Sequence, residues 1–140
     1  MMPDNLPGRP TSVTYLAVGV LITAGFNLLR SWNAYREFEF LSGLLPFSPL
    51  YLVLGGMFWG LSALVLFYGL WLGKQWAPNM TRIAAFVYTL YYWLDRIFLS
   101  SLGLGVNWLF VLIVNIIILA LVFWILIRSN ARRYFGDFHV

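Results

Sequence analysis

The sequence predicts an all-α integral membrane protein, an antiparallel bundle of four transmembrane helices that forms one domain over residues 1–140. The composition is the first reason: 61% of the residues are hydrophobic and 10% are charged, against about 45–50% and about 25% in average soluble domains. The second is the length of the uncharged stretches, since about 20 apolar residues cross about 30 Å of hydrocarbon. The third is that all six prolines lie outside the proposed spans.

The first two spans are predicted at residues 11–30 and 50–72. We expect the first to remain in the membrane rather than to be removed as a signal peptide, because no A-x-A site follows its apolar run. Ser48 and Pro49 precede the second span and suit the start of a helix. Gly73 follows it and suits the position just after a helix.

The last two spans are predicted at residues 80–99 and 107–127. The third follows Pro78 and carries charge at both ends, including the adjacent Asp95 and Arg96 near its finish. The fourth is uncharged throughout. Because the links between the spans are short, neighbouring helices should be antiparallel.

Two segments outside the spans are predicted to lie at the membrane interface. Residues 31–45 mix charges with aromatic rings and are interpreted as an interfacial segment, which could continue the first helix at the headgroups. Residues 128–140 form a basic and aromatic C-terminal tail, whose arginines are expected to contact lipid headgroups: Arg128, Arg132 and Arg133. Its rings are expected in the interface: Tyr134, Phe135 and Phe138. An anchoring role is favoured over a partner-binding tail.

The distribution of lysine and arginine predicts the orientation. With four spans, one side of the membrane carries six cations: Arg9, Lys74, Arg82, Arg128, Arg132 and Arg133. By the positive-inside rule both termini are then cytoplasmic. Because long tails and a signal segment are not expected, a prokaryotic inner membrane is the favoured location. The nine cations are spread through an apolar chain, so the lipid bilayer, and not a nucleic acid, is the expected partner.

The residue types leave little room for catalysis. There is no cysteine, and the single histidine, His139, is the penultimate residue. Thiolate, bis-histidine and histidine-triad chemistry are therefore not expected, and no cofactor or metal is predicted. A lipid-modifying enzyme is the least favoured hypothesis, because Asp95, Glu37 and Glu39 would share a Mg²⁺ only if the segment 31–45 folded over the third helix.

The polar residues within the spans are predicted to converge in the outer leaflet as an intramembrane cluster: Asn27, Arg30, Tyr88, Tyr92, Asp95, Arg96 and Asn115. Charged groups in a span are costly, so their positions are informative. The favoured interpretation is a structural pin in which Asp95 pairs with Arg30, since the adjacent Arg96 points about 100° away on a helix. A ligand or ion site and a contact to another subunit are the alternatives.

Two pairs of glycines, each spaced four apart, lie on the second span and at its end and predict close helix packing: Gly56 with Gly60, and Gly69 with Gly73. Small residues let two backbones approach in lipid. Packing within the chain is favoured over packing against another protein.

The predicted function is that of a structural or assembly subunit of a larger membrane complex, without catalytic chemistry of its own. Three features favour this function: the lack of catalytic residue types, the short loops and the glycine-lined helix faces. The expected partners are other membrane subunits or further copies of the chain. The alternative is a small homo-oligomeric transporter or channel that uses Asp95 and its polar neighbours.

Overall fold

The computed structural model describes residues 8–99, 105 and 107–136, and every regular element among them is a helix. The helices are α1 (Thr11–Arg36), α2 (Phe38–Leu44), α3 (Leu50–Trp71), α4 (Ala77–Leu99), α5 (Trp108–Ile127) and α6 (Ser129–Tyr134). The structure therefore confirms the all-helical prediction for this part of the chain.

Three of these helices are long and apolar enough to cross a membrane, namely α1, α3 and α5. The predicted count of four is not confirmed. With 23 residues α4 is long enough, but its polar residues lower its hydropathy: Asn79, Arg82, Asp95 and Arg96, together with three tyrosines. The integral membrane character follows from the three apolar helices.

The first helix is longer than the predicted span of residues 11–30. Helix α1 continues to Arg36, so the first part of the segment 31–45 belongs to it. The helix is interrupted at Glu37, and α2 follows at once. The expectation that the segment 31–45 could continue the first helix is thus confirmed as far as Arg36. The other predicted boundaries lie within three residues of those observed.

The closest helix packing is between α1 and α3. A Cβ added to Gly56 would lie 2.7 Å from the Asn27 carbonyl oxygen, and one on Gly60 would lie 2.6 Å from Leu28 Cδ2. Ser31 Oγ donates a hydrogen bond to the Val53 carbonyl at 2.7 Å. We call this contact the α1–α3 seam: Asn27, Leu28 and Ser31 against Val53, Gly56 and Gly60.

The bundle has two ends. At the α6 end the last turns of α3 and α5 meet the first turns of α1 and α4, and Arg82 donates to the Leu126 carbonyl there. At the opposite end, which we call the Asp95 end, the last turns of α1 and α4 meet the first turn of α3. Helix α4 thus runs between the same two ends as its neighbours.

The tail was predicted to lie in the interface, and this is wrong for Phe135. That side chain is 2% exposed and belongs to a core at the α6 end: Val13, Leu16, Ala17, Leu70, Ala77, Leu126 and Ala131. Short helix α6 turns the chain back, and Tyr134 Oη donates to the Trp71 carbonyl. Phe138 and His139 lie outside the described residues.

Candidate functional site

Asp95 connects three helices at the Asp95 end. Its Oδ1 accepts a hydrogen bond from Tyr51 Oη on α3 at 2.9 Å. Its Oδ2 lies 3.8 Å from Arg30 Nη2 on α1, which is the pairing that helix geometry predicts. Both carboxylate oxygens therefore have partners on neighbouring helices. The arrangement can hold α4 against α1 and α3.

A second polar contact lies deeper in the bundle. Asn27 is 5% exposed, and its Nδ2 donates to the Tyr88 hydroxyl at 3.3 Å and to the Thr23 carbonyl at 2.9 Å. The first bond joins α1 to α4. Together with the bond from Ser31 to Val53 it uses polar side chains for helix contacts, as is usual in transmembrane packing.

The remaining cluster residues have other partners. Arg96 Nη1 donates to Tyr92 Oη at 2.9 Å, one turn back on the same helix. Asn115 Nδ2 donates to the Val111 carbonyl of its own helix at 2.9 Å. The seven predicted residues thus include two interhelical pairs, one pair within α4, and one asparagine bonded to its own helix.

Aromatic rings fill the space between the two interhelical pairs. Trp59 meets the Tyr88 ring edge to face at 4.9 Å between centroids, and the Tyr91 ring at 5.5 Å. Tyr91 in turn lies 6.3 Å from Tyr51. Such ring pairs contribute about 0.5–1.5 kcal/mol each beyond their buried area. We call these four residues the aromatic cluster.

Sequence reasoning missed several members of this site: Ser31, Tyr51, Trp59 and Tyr91. Features of the sequence pointed to two of these residues, Trp59 and Tyr51. Trp59 is the one tryptophan placed in the middle of a predicted span rather than near an interface. Tyr51 opens the second span at the depth that Asp95 reaches near the end of the third, and a hydroxyl there can donate to a carboxylate.

The four predicted packing glycines do not share one neighbour. Gly56 and Gly60 lie against α1 in the seam, whereas a Cβ on Gly69 would lie 2.6 Å from the Trp76 ring. Gly73 has φ +66° and follows the end of α3, where the Lys74 amide donates to the Gly69 carbonyl at 2.9 Å. The second glycine pair therefore forms the turn into α4.

The predicted headgroup arginines lie at the α6 end. The Arg128 guanidinium carbon is 4.1 Å from the centroid of the Trp124 ring. Arg132 and Arg133 are exposed on α6. Their positions are those of groups that can reach lipid phosphates, and their contact with lipid stays a prediction.

The described residues hold no group of three or more histidine, cysteine, aspartate or glutamate side chains that could bind a metal ion. Glu37 and Glu39 lie around the break between α1 and α2, in an open depression with Tyr35 and Arg36, while Asp95 is engaged by Tyr51.

Comparison with protein-family models, with curated proteins and with solved structures gave no match.

Proposed function

We propose that this protein is a structural or assembly subunit of a larger membrane complex and that α5 carries the contact to its partner. The observation that carries the proposal is the difference in cover between the helices. Helix α5 is the most apolar of the three candidate spans, yet 6% of its most apolar window is buried within the chain, against 28% for α1.

The uncovered side of α5 supports a helix contact rather than a ligand site. Exposed apolar side chains lie on several faces of α5, and one stripe of them, spaced three and four apart, runs along its length: Phe110, Ile113, Ile117, Leu121 and Trp124. Residues at this spacing share one face of a helix, and all five are exposed within the chain. Lipid alone does not favour one helix neighbour over another, so shape complementarity to a partner helix would supply the specificity.

The polar cluster supports the same assignment. The partners of Asp95 are side chains of two neighbouring helices, and Asn27 joins the Tyr88 side chain of α4 to its own helix. These contacts stabilise the bundle, and both carboxylate oxygens of Asp95 have partners. A bundle that is held together by its own polar contacts and leaves most of α5 uncovered is suited to binding another subunit.

We further propose that α4 also crosses the membrane, so that the chain has four spans. Its 23 residues would extend about 34 Å at 1.5 Å per residue. Arg82 contacts α5 near one end, and Asp95 contacts α1 and α3 near the other. With four spans both termini lie on one side, and the positive-inside rule favours the cytoplasmic side of a prokaryotic inner membrane.

The test is native mass spectrometry of the protein extracted gently from its own membrane. We expect a fixed stoichiometry with larger subunits for the natural sequence. The double variant Ile117→Ala, Leu121→Ala should lose those subunits, because it removes the centre of the stripe. The matched control, Ile22→Ala with Leu29→Ala, alters equally exposed residues of α1 and should keep them. Isolation as a monomer or as a closed homo-oligomer would refute the assembly role.

A small transporter or channel is the second candidate, and one observation favours it. The Arg30 and Asp95 side chains are 44% and 23% exposed, so an ion could reach the pair. Under that function Asp95→Asn abolishes uptake or conductance in vesicles and leaves stability unchanged. Under the assembly function the same variant loses stability, about 1 kcal/mol for the ion pair, and no transport is present to be lost.

A further inference from the structure

Charge is distributed unequally between the two ends of the molecule. Among the residues that the structure describes, the Asp95 end carries three cations and three carboxylates, which cancel: Arg30, Arg36, Arg96, Glu37, Glu39 and Asp95. The α6 end carries the six other cations: Arg9, Lys74, Arg82, Arg128, Arg132 and Arg133. The two remaining acidic residues of the sequence, Asp4 and Asp137, lie outside the described residues, and the six cations outnumber them. An end of this kind attracts anions.

Two of these cations, Arg9 and Lys74, lie at the turn from α3 to α4, residues 72–76. The Arg9 guanidinium carbon is 3.4 Å from the centroid of the Trp71 ring, and Arg9 Nη1 donates to the Trp71 carbonyl at 3.4 Å. Tyr134 Oη donates to the same carbonyl, which brings α6 to the turn. Lys74 is exposed in the turn itself. The N-terminal segment and the turn thus place two positive charges close together, and Tyr134 brings the helix that carries Arg132 and Arg133 next to them.

An apolar groove of about 610 Å³ begins beside this turn and runs between α3 and α4. Trp76 and Met80 line it nearest the turn, and Phe58 and Val87 line it farther away. Apart from Ser62, aliphatic and aromatic side chains and Ala84 form its walls. A groove of this composition within a membrane suits a hydrocarbon chain.

We propose that an anionic phospholipid binds at the turn from α3 to α4. Its phosphate meets Lys74 and the exposed arginines of α6, and one acyl chain lies in the groove between α3 and α4. Arginine pairs well with phosphate oxygens, because its donors match two of them at once. The charged end selects the headgroup and the groove holds the chain, so a single ligand accounts for both features. The inference does not depend on the assembly role, but it rests on the proposal that α4 crosses the membrane beside α3.

The first experiment compares two lipids with identical chains, dioleoylphosphatidylglycerol and dioleoylphosphatidylcholine, by native mass spectrometry of the full chain in neutral detergent. Each cation near an anionic headgroup changes affinity about fivefold. We therefore expect the anionic lipid to bind more than about tenfold more tightly. The triple variant Lys74→Gln, Arg132→Gln, Arg133→Gln should lose most of that preference. Arg36→Gln, an exposed arginine at the Asp95 end, should keep it.

The second experiment separates the contribution of the lipid headgroup to the affinity from that of the acyl chain. Ala84→Phe fills the groove and should weaken both lipids by a similar factor while leaving the preference intact. Inorganic phosphate at millimolar concentration should not displace the anionic lipid. Equal affinity for the two lipids, displacement by inorganic phosphate, or a dimer that disappears in Ala84→Phe would each overturn the proposal. The last result would assign the groove to a second copy of the chain.

Discussion

The α1–α3 seam and helix α5 show two ways in which a helix can sit in a membrane protein. In the seam, glycines bring the backbones together, and Ser31 donates to a carbonyl across the contact. Helix α5 has no glycine, and its asparagine bonds to its own helix. Within the described residues α5 joins the bundle mainly near the α6 end, where Leu126 enters the core.

The difference between the seam and α5 arises because the solvent around these helices is lipid. In lipid an apolar side chain gains little by leaving hydrocarbon for protein, so apolar character alone does not choose a neighbour. Close backbone approach and polar contacts do choose one. The seam has both, and α5 therefore stays available for another surface. Substitutions in the seam should therefore change stability more than comparable substitutions on the exposed faces of α5.

The largest loss of stability is expected in the core at the α6 end, where α5 packs against the other helices. Phe135→Ala removes a ring that is 2% exposed and packs with residues of α1, α3 and α5. We expect a loss of about 3 kcal/mol in the free energy of unfolding, because a buried phenylalanine leaves a large cavity. Trypsin should also cut faster at Arg132 and Arg133. Phe110→Ala, at a ring that is 70% exposed, is the control and should change neither.

The next effect separates the two seam glycines. Gly56→Ala places a methyl group 2.7 Å from the Asn27 carbonyl oxygen, which is part of the helix backbone and cannot turn aside. We expect a loss of about 1–3 kcal/mol, measured by unfolding in mixed micelles. Gly60→Ala should cost less, because its close neighbour is the flexible end of Leu28. Gly25→Ala meets open space, and a loss there as large as at Gly56 would contradict the seam.

A smaller effect is expected from the polar contact in the seam. Ser31→Ala removes the donor of the 2.7 Å bond to the Val53 carbonyl and should cost about 0.6 kcal/mol, the average for such bonds in membranes. Ser42→Ala is the matched control, since the Ser42 hydroxyl donates within α2, to the Glu39 carbonyl. If both variants lose equally in the same unfolding assay, the seam does not depend on this bond.

The smallest effect belongs to α5. Asn115→Leu should change the unfolding free energy by less than about 0.5 kcal/mol, because Asn115 Nδ2 donates to Val111 within its own helix and no bundle contact is lost. A loss above about 1 kcal/mol would show that α5 is held to the bundle by its asparagine, and the contrast with the seam would fail.

Much of the architecture was predictable from the sequence, because prolines and charges separate the apolar stretches whatever the packing. The span count was not, since α4 mixes apolar and polar residues and composition does not fix where it lies. The continuation of the first helix past Arg30 was foreseen, but its end at Arg36 was not. The burial of Phe135 was unpredictable, because a basic and aromatic tail has the composition of a surface segment until it folds back.

The site was predictable in part for a similar reason. The pairing of Asp95 with Arg30 follows from helix periodicity and depth. The hydroxyl of Tyr51 and the rings of Trp59 and Tyr91 were missed because tyrosine and tryptophan are ordinary in membrane helices. Their roles depend on which helices are neighbours, and a single sequence does not state that order.

The most direct test of the account places a photoreactive amino acid at one position and irradiates cells that make the protein. At Ile117, in the stripe of α5, we expect one protein adduct of constant mass larger than a second copy of this chain. At Phe26, exposed on α1, we expect lipid adducts alone. The same protein adduct from both positions, or none from Ile117, would contradict the claim that α5 carries the assembly contact.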